Sequence, residues 1–353
     1  MENVSVDLGY GFVKAVSSNG KRVIFPSVVG EEGNSLDLSS AFGKRADDVN
    51  NMHIKFNERD FFVGKLAEME SRSTTRIFER ERFNNIYTMI LLNAAVHLVS
   101  ESDIVSVTTG LPLDFYQAQA KEFRESVIGI QPVIQWMSGP LAGKEKRVNI
   151  ENAFVFPQGA SAVFSALINH EGKFVYPDLM HEGSLIALID IGFRTTDFVV
   201  VEIQENGSFI PIAKHSGTVD EGVINLHTSL QQVYKTNTGG SDLNDRFIKQ
   251  ILQNGYLLYR GKKMDFTEII KESKESIIAN IVDRLNSVWS NESDLFSAIF
   301  LAGGGGTLFQ SIIQPHFDSR LSLINESQFA NAIGYLRLGK AMMNAKSLKE
   351  KMG

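Results

Sequence analysis

Two aspartates, Asp7 and Asp190, each stand two residues before a glycine at the end of an apolar run. The stretches are "VSVDLGYGFVKAV" (4–16) and "SLIALIDIGFRTTDFVVVEI" (184–203). Glycines in a tight turn have no Cβ, so their backbone N–H groups can close on an anion. In the first stretch Gly9 and Gly11 make the turn, and Lys14 could carry a point charge to a β- or γ-phosphate. In the second, Gly192 makes the turn, Thr195 and Thr196 offer hydroxyls, and Asp190 and Asp197 flank it. Mg²⁺ keeps several waters and takes one or two carboxylates, so one aspartate from each hairpin suits it. A carboxylate abutting "LIALI" also carries a desolvation cost unless a metal or donors meet it. Alone, each hairpin also reads as a surface turn, where Asp and Gly are common for local reasons. Two of them, each opening an α/β repeat, favour two halves of one clamp for a magnesium-bound triphosphate.

A third stretch, "SAIFLAGGGGTLF" (297–309), runs a buried strand into four glycines and then a helix. Gly303, Gly304, Gly305 and Gly306 would let a flat base or an α-phosphate lie against bare backbone at a helix N-terminus. No Gly-Lys-Ser/Thr follows, so this is not a Walker A loop, and no acidic ribose partner stands at dinucleotide-fold distance. A flexible hinge is the alternative reading.

The elements that must carry these turns follow from periodicity. Alternation at Val4, Val6 and Leu8 gives a strand, residues 12–16 return as a second, and "KRVIFPS" is a third ending at Pro26. Residues 31–52 read as an exposed loop before the strand "DFFVGK". Helical spacing covers about 83–98, with Ile86, Met89, Ile90, Leu92 and Ala95 on one face. "DIVSVTTGLP" is a strand, "LDFYQAQAKEFRESV" a helix, 147–156 a strand, and "QGASAVFSALI" a helix of small residues. The pattern then restarts with the 185–203 hairpin, a strand at 208–214 and helices at 218–236, 241–254 and 265–290. The "SAIFLAG" strand and a final helix at 326–347 complete it. Strands and helices repeated in this way argue for two related α/β domains.

The bulk composition narrows the function. At 353 residues the chain exceeds a single-core size, and its net charge of −6 supplies no broad basic field for holding nucleic acid directly. There is no cysteine, and the seven histidines have no ligand-like spacing, so thiolate and histidine metal centres are not expected. No signal peptide or bilayer-length apolar run is read, which makes a cytoplasmic location the expectation. The tail "GKAMMNAKSLKEKMG" could form an amphipathic membrane helix, but a packed terminal helix is the favoured reading.

In order, the chain holds a first phosphate hairpin, a small-residue connecting helix, a second phosphate hairpin, a glycine-rich nucleotide loop and a last helix. That order resembles the actin, sugar-kinase and heat-shock-chaperone superfamily. The matching stretches are "VDLGYGFVKA", "FPQGASAVFSA", "IDIGFRTTDFVVVE", "LAGGGGTLF" and "FANAIGYLRLG", which span the chain. Within it, "TTGLP" (108–112) and "DIGFRTTDF" are most similar to the bacterial plasmid-segregating ParM/StbA type. The resemblance implies two actin-like, ribonuclease-H-like α/β domains with a nucleotide cleft between them, one from 1–165 and 335–353 and the other from 166–334. It implies that Asp7 and Asp190 organise Mg²⁺ through waters. Gly9, Tyr10, Gly11 and Lys14 would hold the phosphates with Gly192, Thr195 and Thr196, and Gly303 to Gly306 would lie along the nucleoside. Gln158 stands where the superfamily orients the attacking water. Many segregation actins have Glu there, and an amide would position that water rather than deprotonate it. Gln158 and Asp190 are thus the residues the resemblance marks as catalytic. Charged residues contacting adenine would fall in "EIIKESKES", where a solvated helix face explains the pattern equally well.

The function so implied is a filament-forming NTPase that uses ATP or GTP with Mg²⁺ and moves a plasmid. Its partners would be other copies of itself in a polar filament and an adaptor bound to centromeric DNA. A small-molecule kinase of the same superfamily and a cell-shape or membrane-associated actin homologue stay open. A chaperone is disfavoured, because no peptide-binding domain follows within 353 residues.

Overall fold

A computed structural model describes residues 1–31, 46–71, 74–75, 85–205 and 207–352. The chain divides into two units, Met1–Val175 with Phe329–Gly353, and Tyr176–Gln328. The sequence expectation of a loop from 31 to 52 falls mostly outside the described residues.

The first unit opens as an antiparallel meander of β1 (Glu2–Leu8), β2 (Phe12–Ser17) and β3 (Arg22–Pro26). After β4 (Val29–Glu31), β5 (Met52–Phe56), β6 (Arg59–Val63) and β7 (Thr74–Thr75) come β8 (Ile104–Leu111), β9 (Ile134–Ser138), β10 (Glu145–Lys146) and β11 (Asn149–Pro157). The main sheet runs β11-β8-β1-β2-β3, with β8 and β11 parallel to β1. A second sheet runs β10-β9-β5-β6-β4-β7. Short helix α1 (Lys65–Glu70) precedes α2 (Ile86–Val99), which is capped by Asn85. Helix α2 buries an unbroken run from Thr88 to His97, because sheet strands take up the faces that a surface helix would leave to water. Helix α3 (Leu113–Gly129) lies on β8 and β11, and α4 (Ala160–Leu167) follows the end of β11.

The second unit repeats the plan. Strands β12 (Leu185–Ile191), β13 (Thr196–Ile203), β14 (Phe209–Pro211) and β15 (Gly217–Val219) come first. Helices α5 (Val223–Thr238) and α6 (Asp245–Asn254) lead to a hairpin of β16 (Tyr256–Tyr259) and β17 (Lys262–Asp265). Helix α7 (Thr267–Trp289), β18 (Phe296–Ala302), helix α8 (Gly303–Ile313) and β19 (Leu321–Leu323) complete the unit. Its sheet runs β14-β13-β12-β18-β19, with β18 parallel to β12 and β19 parallel to β18. Reversed, that is the order and the sense of the first unit's main sheet. The internal repeat read from two glycine turns is therefore a repeat of topology.

The strand expected at 208–214 shrinks to Phe209–Pro211 and gives way to a 3₁₀ turn at Ala213–His215. Pro211 has no N–H to extend the ladder. The last helix, α9 (Ala330–Met352), belongs to the first unit and packs on α4 and β1 through small residues. A Cβ on Gly334 would sit 1.8 Å from the Ser161 carbonyl oxygen, and one on Gly110 would sit 1.9 Å from the Tyr335 hydroxyl. The terminal helix is thus seated on the protein at Gly334 and Tyr335, while residues 340–342 and 344–346 of the tail are exposed.

Candidate functional site

Asp7 is the penultimate residue of β1 and pairs in register with Lys14 of β2. It is 2 % exposed. Lys14 Nζ donates to Asp7 Oδ2 at 2.8 Å, and Gln158 Nε2 donates to Asp7 Oδ1 at 3.3 Å. Gln158 follows directly on β11, where its backbone N–H donates to the Leu111 carbonyl at 2.7 Å. Gly159, at φ 75°, turns the chain into α4 and donates its N–H to Asn331 Oδ1 at 3.1 Å. The Gln158 backbone is therefore held on both sides. With its amide nitrogen directed to Asp7, Oε1 is the end of the amide able to accept a hydrogen bond from water.

The turn between β1 and β2 needs glycine at position 9, where a Cβ would lie 2.8 Å from the Phe12 carbonyl oxygen. Ser27 braces it, its hydroxyl donating to the Gly9 carbonyl at 2.6 Å and its N–H to the Gly11 carbonyl at 3.0 Å. Tyr10 is half-buried at the turn.

The second unit builds the matching turn. Asp190 of β12 faces Asp197 of β13 in register, and the two are 7 % and 6 % exposed. A Cβ on Gly192 would lie 2.9 Å from the Thr195 carbonyl oxygen, the relation Gly9 bears to Phe12. The carbonyls of Gly192 and Phe193 accept the N–H groups of Val223 and Ile224 at 3.2 and 2.7 Å, so the first turn of α5 braces the loop. Thr196 is fully buried, and its hydroxyl donates to the Glu221 carbonyl at 2.8 Å. Thr195 is half-buried in the turn itself. Thr218 Oγ1 donates to Asp197 Oδ1 at 2.7 Å.

Helix α8 begins against Asp190. A Cβ on Gly303, at φ 83°, would lie 2.2 Å from the Ile191 carbonyl oxygen and 2.3 Å from Asp190 Oδ1. One on Gly305 would lie 2.5 Å from Ile191 Cγ2. Both glycines let the helix start press onto the end of β12. Gly304 is exposed, with only Gln328 Nε2 near its Cβ position, at 3.8 Å.

Also in the second unit, a groove of about 550 Å³ lies between α5 and α7, lined by Glu221, Asn225, Thr228, Glu272, Ser276 and Asn280 among others. Asn280 Nδ2 donates to Glu221 Oε1 at 3.0 Å. The volume fits a nucleoside, and its carboxylates and amides match a ribose diol and a base edge. Glu221 is the residue whose carbonyl holds Thr196, so the groove and the turn share a wall.

The donor set is suited to Mg²⁺. Asp7 and Asp190 are both buried carboxylates, and a buried carboxylate is stabilised by donors or by a cation beside it. Among the described residues no group of three or more His, Asp or Glu could hold a metal. No helix among the described residues is long and apolar enough to cross a membrane.

Residues 5–160 match the family described as actin like proteins N terminal domain, and 188–314 match the archaeal actin homologue MreB-like C-terminal domain. The chain belongs to the actin-like superfamily. This actin-like protein is 28 % identical to a subunit of a 15-stranded ParM filament from Clostridium botulinum, with a TM-score of 0.85 over 96 % of this chain and 99 % of that one. An archaeal actin homologue of Thermoplasma acidophilum is 24 % identical, covering 94 % of this chain and 97 % of its own length. An archaeal actin homologue crystallised in complex with ADP shares the fold at 21 % identity, with a TM-score of 0.76 over 97 % of this chain and all of that one.

The residues singled out in the sequence thus form two local groups. Asp7, Gly9, Tyr10, Gly11, Lys14 and Gln158 gather in the first unit, and Asp190, Gly192, Thr195, Thr196 and Gly303 to Gly305 gather in the second. No sequence motif points to Ser27, Glu221, Asn225 or Asn280. These lie outside any glycine turn, and helical registers three and four apart bring the α5 and α7 residues onto the groove.

Proposed function

We propose that this actin-like protein is a polymerising NTPase, which binds ATP or GTP with Mg²⁺, assembles with copies of itself and hydrolyses the nucleotide within the polymer. The observation that carries the reading is the Lys14–Asp7–Gln158 chain, a buried carboxylate with an ammonium on one oxygen and an amide on the other. Such a chain fits a site where phosphate, cation and attacking water meet. Lys14 and the turn amides of Gly9, Tyr10 and Gly11 bind phosphate oxygens, joined by the turn of Gly192 and the Thr195 hydroxyl. Thr196 shapes that second turn through its bond to Glu221. Asp7 and Asp190 would hold Mg²⁺ through its water shell, and the ion would neutralise charge on the phosphates. Gln158 accepts a hydrogen bond from the attacking water through Oε1 and fixes its line of approach, without acting as a strong base. The nucleoside occupies the α5–α7 groove, with the Gly304 backbone beside the α-phosphate.

Self-assembly is supported by the likeness to a ParM filament subunit. Plasmid movement through a DNA-bound adaptor in the cytoplasm fits a chain whose net charge of −6 does not favour holding DNA unaided. The test is light scattering, electron microscopy and phosphate release after adding Mg²⁺ with ATP or GTP. Filaments that form and then decay as phosphate appears are expected. Turnover that requires an added small-molecule acceptor, with no rise in scattering, would point to a kinase instead.

A further inference from the structure

The two most exposed large apolar side chains among the described residues are Leu295, at 66 %, and Leu258, at 62 %. Both lie in the second unit, one at each end of helix α7. Leu258 is on the β16–β17 hairpin, which joins the start of α7 through Phe266, whose N–H donates to the Gly255 carbonyl at 2.8 Å. Leu295 ends the 3₁₀ turn Ser290–Leu295, which continues directly from the last residue of α7. The 23 residues of α7 between them span about 35 Å. They therefore occupy opposite ends of one rigid element.

Their surroundings differ in charge. Register pairs Leu258 with Lys263 and Tyr256 with Asp265, which puts all four on the outward face of the ribbon, while Leu257 is buried behind it. Lys263 Nζ stands 4.3 Å from the Tyr256 ring centroid, and Arg260 is exposed at the hairpin tip. Asp265, the one acid on that face, is turned to the start of α7 and accepts the Thr267 N–H at 2.8 Å. The face is apolar and basic. At the other end, Asp294 is exposed beside Leu295 and has no ion-pair partner among the described residues. Glu292 lies two residues before it, bound to Lys214 and His215. Arg320 Nη1 donates to the Ser293 carbonyl at 2.8 Å and itself pairs with Asp318, so the charge at this end left to meet a partner is that of Asp294, beside Leu295.

We propose that these two ends are the halves of a contact between copies of this chain, the Leu258–Lys263 face of one subunit seating on the Asp294–Leu295 turn of the next. Each end meets its complement only on another copy, because the two sit at opposite ends of α7. A contact between two different patches does not close on itself as a two-fold dimer does, and repeated along α7 it propagates an open polymer. The charges choose the partner and the orientation, and the two leucines supply the buried apolar area.

The proposal rests on the polymer reading, and its test separates the two. Wild type, Lys263→Glu, Asp294→Lys and the double variant carrying both are compared by light scattering and pelleting with Mg²⁺ and ATP or GTP. Leu258→Ser and Leu295→Ser are run beside them, and nucleotide binding and thermal melting serve as fold controls. Each single variant is expected to bind nucleotide as wild type does and to raise the critical concentration at least about tenfold. The double variant, whose ends are complementary again with signs exchanged, is expected to recover assembly. If wild type assembles and the single variants assemble equally well, or the double variant does no better than the singles, the contact is wrong and the polymer reading stands. A wild type that does not assemble with either nucleotide overturns both.

Discussion

Lys14 and Asp7 face each other across β1 and β2 with Nζ and Oδ2 2.8 Å apart. The same register position in the second unit is held by Asp197, opposite Asp190. The first hairpin thus sets an ammonium opposite its aspartate, where the second sets another carboxylate. Removing the ammonium leaves a buried carboxylate without its ion-pair partner. Lys14→Ala is expected to lose about 3 kcal/mol in urea denaturation, and Asp7→Asn in the same chain is expected to return much of it. A Lys14→Ala protein as stable as wild type would show that the pair does not matter to the fold.

Gln158 is proposed to fix water rather than charge. Gln158→Ala should slow phosphate release about 100-fold while nucleotide affinity changes by less than about threefold. If filaments form, they should outlast those of wild type. Unchanged turnover would remove Gln158 from the hydrolytic step.

The α5–α7 groove is open to a direct steric test. Thr228 is exposed on α5 and lines the groove. Thr228→Trp fills it without disturbing the core and is expected to weaken nucleotide binding at least about tenfold, measured by titration calorimetry. Binding as tight as wild type would place the nucleoside elsewhere.

Much of this was legible in the sequence, and the reason is local. Asp7–Gly9 and Asp190–Gly192 are turns whose glycines are required by carbonyls three residues on, so the chemistry and the backbone requirement share the same letters. The alternation of β1 and the apolar run of β12 show the strands directly. What escaped notice depends on distance. The β16–β17 hairpin, turning at Arg260 and Gly261, has a Lys-rich second strand and none of the usual hairpin dipeptides, and β19 is three residues long. The bond from Gln158 to Asp7 joins positions 151 residues apart, which no periodicity reports. Thr196 stands beside Thr195 in the sequence, yet strand alternation puts its hydroxyl on Glu221.

His97 offers a stability readout away from the site. It is buried in α2 with neither ring nitrogen hydrogen-bonded, and burial, then the nearby Lys146 charge, lowers its pKa to about 3. The unfolded chain takes up a proton near pH 6.5 that the folded chain refuses until about pH 3. This residue's contribution should therefore make stability fall as pH drops through that window, by about 1.4 kcal/mol per unit. His97→Leu should remove that slope from urea melts between pH 6.5 and 5. A slope unchanged by the substitution would mean that the ring is protonated in the fold.

Asp7 and Asp190 are proposed to serve one magnesium-bound nucleotide. A double-mutant cycle on Mg²⁺-dependent nucleotide affinity, with Asp7→Asn, Asp190→Asn and both together, measures this directly by calorimetry. Each single variant is expected to lose most of the Mg²⁺ dependence, and the double to lose less than the sum of the two, by at least about 1 kcal/mol. Strictly additive losses, or a single variant whose Mg²⁺ dependence matches wild type, would mean that the two aspartates do not share an ion.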